Sequence, residues 1–147
     1  MNVRYIVLAI FAAACFDGGN TPESALKDFV ESRLNGVVTR ADVIARTTGK
    51  MRLSVESMDD KDFDRFADLR QYKRDSYRVI SKSCQEKKCY VTYALGYHKA
   101  ADVGGGDWAT EVKKIVEIQW VDGQWLIADV SNIKTYHETS QNIDVTP

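Results

Sequence analysis

Five side chains in this 147-residue chain could most directly bond, ligate or react: Cys15, Cys84, Cys89, His98 and His137. Cys84 and Cys89 bracket Gln85-Glu86-Lys87-Lys88, and two cysteines facing one another across a hairpin have the separation a disulfide needs. With His98 and His137 they would also supply the number of ligands zinc takes, but neither histidine stands at a ligand-like spacing from the other or from the cysteines. No metal is expected on that ground. A redox role for the pair is disfavoured, because no helix amino terminus is at hand to lower a thiol pKa. Gly104-Gly105-Gly106 lacks the Lys-Ser/Thr pair and helix start of a phosphate loop, since Trp108 and Thr110 lead into a strand. It reads as a strand connector, and no cofactor is implied.

The amino terminus decides between these options. Met1-Asn2-Val3-Arg4 brings one positive charge, Tyr5 to Phe11 form an apolar core, and three alanines follow. That is the layout of a secretory signal, with a core too short for a permanent membrane span. Export into an oxidising compartment favours the Cys84–Cys89 disulfide and leaves Cys15 as the odd cysteine. Ala12-Ala13-Ala14-Cys15 resembles a bacterial lipobox, with Ala12 where leucine is usual. The resemblance implies a signal peptide over 1–14, acylation of Cys15, a lipid-anchored tether over 15–20 and a single domain over 21–147. Phe16 stands where an aspartate would retain a Gram-negative lipoprotein in the inner membrane, which implies the outer membrane, facing the periplasm. The lipid bilayer is thus the first expected partner, and multiple acyl chains, at about 0.8 kcal/mol per buried methylene, make such an anchor effectively permanent. From Phe16 to Asn20 the tether reaches at most about 18 Å.

Twenty basic residues stand against 21 acidic ones. They are interspersed, so no field favours nucleic acid and none is expected as a partner. A hydrophobic share of 44% is that of an ordinary globular domain.

The elements follow from spacing. Thr21-Pro22-Glu23 starts a helix in which Ala25, Leu26, Phe29, Val30 and Leu34 share a stripe, closed by Asn35-Gly36. Thr39 to Asp42 resembles a capping box opening a shorter helix, the stretch from Lys50 to Met58 is ambiguous, and Ser57 or Asp59 caps a third helix around Phe63 and Phe66. From Ser76 the period becomes two: Tyr77, Val79 and Ser81 alternate with Arg78, Ile80 and Lys82, then Val91, Tyr93, Leu95 and Tyr97 share a face. Val112, Val116, Ile118 and Trp120 share another, and Asp122-Gly123 is a strong hairpin turn. That turn predicts Trp120 opposite Trp125, Ile118 opposite Ile127, and Val116 opposite Asp129.

The expected fold is α+β, three amino-terminal helices packed on a curved four-stranded antiparallel sheet. This order, with the closing pattern from Val116 to Val130, resembles the cystatin-like cone of the nuclear transport factor 2-like superfamily over about residues 21–137. It is similar in particular to small bacterial lipoproteins of unknown function with that fold. The resemblance implies a pocket between sheet and helices, where enzymatic relatives place an acid and a polar partner. Asp129 is then the candidate base, with Tyr93 and Tyr97 as hydroxyl donors. The leading expectation is a non-catalytic binding or support module meeting another envelope protein or a small apolar ligand. An isomerase- or cyclase-like enzyme using Asp129 is the alternative, and an inhibitor of a cell-wall-attacking enzyme, wedging with the basic Lys82–Cys89 hairpin, is a third.

Overall fold

The computed structural model describes residues 20–36, 38–99 and 108–139. The expected signal segment, Cys15, Gly104–Gly106 and the side chain of His137 lie outside the described residues. Four helices, α1 (Pro22–Asn35), α2 (Arg40–Ala45), α3 (Gly49–Ser57) and α4 (Asp60–Ala67), precede four strands, β1 (Tyr72–Gln85), β2 (Lys88–Lys99), β3 (Trp108–Val121) and β4 (Gln124–Thr139). The strands pair in chain order as an open antiparallel sheet, which makes the domain α+β. Among the described residues no helix is long and apolar enough to cross a membrane.

Local chemistry explains three of the four helix starts. The Thr21 hydroxyl accepts the Ser24 N–H at 3.1 Å while Ser24 Oγ accepts the Thr21 N–H. Thr39 and Asp42 form the same reciprocal box, and the Asp59 carboxylate accepts the Asp62 N–H at 2.8 Å. Each satisfies amides that a first turn leaves without an intrahelical partner.

The expectation of three helices is corrected by α3, which fills the stretch that reads ambiguously. Thr48 makes no side-chain cap, Gly49 enters at a φ of 52°, and Leu53 points outward with 66% exposure while Val55 is buried. What holds α3 is a neighbour distant in sequence. The Thr48 N–H donates to the Ile127 carbonyl at 2.9 Å and the Ile127 N–H donates to the Arg46 carbonyl at 3.0 Å, so a short piece of chain pairs with the edge of β4. Gly49 accommodates the left-handed backbone that this detour needs.

One core joins the layers. Leu26, Phe29 and Val30 of α1, Val43 of α2, Val55 of α3 and Phe63 and Ala67 of α4 meet Val91, Tyr93 and Leu95 of β2, Val112, Val116 and Ile118 of β3, and Ile127 of β4. These residues define the inner face of the sheet.

The register confirms the last hairpin and then departs from expectation. Asp122 and Gly123 both have positive φ, and Trp120 stands opposite Trp125 and Ile118 opposite Ile127, as the turn predicts. Beyond that pair a bulge intervenes, so that Asp129 stands opposite Glu117 and Val116 opposite Val130. The expected pairing of Val116 with Asp129 is therefore corrected. Ala128 is the extra residue; it is buried, and a side chain on Gly49 would touch its Cβ at 3.7 Å. One inserted residue reverses which side of the sheet the following side chains occupy, and Asp129 leaves the face of Trp125 and Ile127. Strand β1 carries two bulges of its own, at Asp75 and Ile80. The alternation read from Tyr77, Val79 and Ser81 accordingly fails at Ser81, where Lys82, opposite Val91, takes the inner position.

Candidate functional site

At the ends of the strands away from the two hairpin turns, the inner face and the last turn of α1 leave a cleft of about 230 Å³. Val30, Arg33 and Leu34 form one wall; Leu69 and Tyr72 close a side. Tyr93, Leu95 and Tyr97 of β2 and Val112 and Lys114 of β3 make the floor. Five aliphatic side chains line it together with two cations and three phenols, so its surface is mixed in polarity.

Arg33 is fixed from several directions. Its Nε and Nη2 donate to the Phe66 carbonyl at 2.8 and 2.5 Å, and its guanidinium lies 3.9 Å from the centre of the Phe66 ring and 5.5 Å from that of Phe29. In return, the Arg33 carbonyl accepts the Leu69 N–H at 3.0 Å. The side chain thereby clasps α1 to α4. Burial lowers its pKa to about 10, against the effect of Tyr93, so the group remains a cation at neutral pH.

Lys114 reaches the same cleft from the sheet. It stands opposite Tyr93 in β2 and Asn132 in β4, on the face shared by Val112 and Val116. Burial, and then the Arg33 charge, lower its pKa. Burial raises Tyr93 to about 12, partly opposed by Arg33, and burial followed by Tyr72 raises Tyr97. The phenols are thus proton donors at neutral pH. The Tyr72 and Tyr97 rings meet edge-on at 5.0 Å.

Several surface cations find acids: Arg74 pairs with Glu31, Lys82 with Glu23, Lys88 with Glu117, and Arg78 with Glu111, while Lys61, Lys73, Lys87, Lys113 and Lys134 have none within ion-pair distance among the described residues. Among the described residues neither Arg33 nor Lys114 has a carboxylate within ion-pair distance. Two like charges therefore share one partly desolvated space.

The structure brings together Tyr93 and Tyr97, both expected as hydroxyl donors, and separates them from Asp129. Asp129 lies on the opposite side of the sheet, its side chain 39% exposed, with Lys50 Nζ at 3.7 Å and the Val130 N–H donating to it at 2.9 Å. Arg33 and Lys114 are the residues the sequence reading missed. Their signal is positional: Arg33 falls within the Phe29–Val30–Leu34 stripe, and Lys114 has the parity of Val112 and Val116.

Cys84 and Cys89 stand opposite one another and are joined by a disulfide, with Cα atoms 4.1 Å apart. The Trp120 N–H donates to the Lys87 carbonyl at 2.8 Å, which ties this tip to β3. His98 is remote from the cysteines, and its Nδ1 lies 2.6 Å from Asp75 Oδ1. A second hollow, about 410 Å³, lies near it and is lined by Asp75, Gly96, Glu111 and Tyr136 together with Tyr97, Ala109 and Thr110.

Comparison with protein-family models, with curated proteins and with solved structures finds no match for this chain.

Proposed function

We propose that this protein is a bacterial envelope lipoprotein, held at a membrane through acylated Cys15, whose cystatin-like cone domain is a non-catalytic binding module for a small ligand. The observation that carries the binding reading is the cleft between α1 and the sheet. It offers apolar walls, phenolic donors and cations, while the candidate base Asp129 lies outside it. Such a combination holds and orients a molecule but supplies no carboxylate base for proton abstraction.

The place where the tether meets the domain supports the same reading. Asn20 Nδ2 lies 3.4 Å from the Gly123 carbonyl, beside the β3–β4 turn. A tether of at most about 18 Å sets the membrane at the end bearing the hairpin turns, and the cleft then opens at the far end, towards the compartment.

Fatty-acid labelling and membrane fractionation test the anchor: Cys15→Ala loses the label and leaves the membrane, and unchanged retention would sink the lipoprotein reading. For the binding module, the full chain purified from its membranes is subjected to native mass spectrometry. A bound small molecule is expected, released by Leu95→Trp, which fills the cleft.

A further inference from the structure

Resting on the reading of the cleft as a ligand site, we infer that its ligand is a small organic anion, a carboxylate head on a short apolar or aromatic body, with the head between Arg33 and Lys114.

Size sets the first limit. At roughly 30 Å³ per water, a cleft of about 230 Å³ holds the volume of about eight waters. That is below the range of drug-sized sites and suited to a molecule such as benzoate or hexanoate. Long acyl chains and folded peptides exceed it.

Charge sets the second. Two cations that face one cavity without an acid raise each other's cost, and an anion between them relieves both repulsion and desolvation. The Arg33 guanidinium commits Nε and Nη2 to the Phe66 carbonyl, leaving the donors of Nη1 for a ligand oxygen. Lys114 brings an ammonium from the sheet that floors the cleft, and Tyr93 stands opposite it in the ladder. A neutral ligand of the same shape would occupy the apolar part and leave both charges as they are. An ammonium ligand would add a third positive charge.

The walls set the third. Val30, Leu34, Leu69, Leu95 and Val112 give the body of the ligand an apolar contact, so the head group alone, as acetate or inorganic phosphate, gains little beyond the electrostatic attraction. The inference therefore requires both ends of the molecule.

The test uses the full chain in lipid nanodiscs and two matched pairs of probes, benzoate with benzamide and hexanoate with hexanamide, plus acetate. Binding is followed by the methyl shifts of the five wall residues. At least one acid is expected to bind about tenfold or more tightly than its amide and than acetate. Lys114→Met, checked for folding by circular dichroism, is expected to weaken binding of the acid by about tenfold and to narrow its lead over the amide, Arg33 alone being left to hold the head. Equal binding of acid and amide overturns the anion inference and leaves the binding-module reading standing. Acetate binding as tightly as the larger acids overturns the requirement for an apolar body. If no probe shifts the wall methyls, both the inference and the small-ligand reading fail.

Discussion

Lys114 stands directly opposite Tyr93 in the ladder between β2 and β3, an ammonium placed on the face that otherwise builds the core. A lysine there is costly unless it has work to do, because its charge is partly withdrawn from water next to a second cation.

The cost is measurable. Burial and Arg33 lower the Lys114 pKa in the folded protein, so the unfolded chain binds that proton more tightly and stability rises as pH climbs from the lowered value towards the ordinary one. The other titratable groups facing Lys114 are Arg33 on α1, Tyr72 on β1, and Tyr93 and Tyr97 on β2. Lys114→Met is expected to be more stable than the wild type by about 1 kcal/mol near neutral pH, with the difference shrinking at alkaline pH. Urea denaturation of both proteins across that range checks it; a constant difference would mean that packing, not charge, is responsible.

Tyr77 makes a simpler case. Its hydroxyl is buried without a hydrogen-bond partner among the described residues, beside the Tyr93 ring at 5.7 Å. An unsatisfied buried donor carries its full desolvation penalty. Tyr77→Phe should therefore raise stability by about 1 kcal/mol, visible as an increase of roughly 2–4 °C in Tm.

The disulfide closes a short loop, so its effect on stability is modest. Replacing Cys84 and Cys89 together by alanine is expected to lower stability by about 2 kcal/mol. Reduction of the wild type should lower the denaturation midpoint by a comparable amount, and no change on reduction would mean that the thiols are not bonded in solution.

The Ala128 bulge gives the sharpest structural prediction. Deleting Ala128 removes the bulge and keeps the pairs around it, Asp129 opposite Glu117 and Val130 opposite Val116, so the carboxylate stays on the outer face and only the buried Ala128 and its packing against Gly49 are lost. Loss of about 1–3 kcal/mol is expected, and Asp129→Leu in the deletion background should recover none of it. Equilibrium denaturation of the two variants checks this; recovery by Asp129→Leu would mean that the deletion had turned Asp129 inward.

Much of the architecture was legible because its signals are local. Thr21, Thr39 and Asp59 announce helix starts, and Asp122-Gly123 fixes a turn whose first pairs, Trp120 with Trp125 and Ile118 with Ile127, follow by counting. Counting fails where a distant contact intervenes. The bulge at Ala128 lies beside the pairing of Thr48 and Arg46 with Ile127, partners about eighty residues apart that no window of sequence displays. Helix α3 was hidden for the same reason, being supported by β4 rather than by a cap or a strong apolar stripe. At the cleft, the tyrosines stood out as polar handles on a core face. Arg33 and Lys114 did not, because charged residues at inward positions are easily read past when the surrounding pattern is strong.

Arg33 serves two ends with one side chain: it holds the last turn of α4 through the Phe66 carbonyl and presents its remaining donors to the cleft. Lysine would keep the charge and lose the fork; glutamine would keep some donors and lose the charge. Under the ligand-site proposal, selection at this codon answers to folding and to recognition at once, and neither pressure can drift without the other.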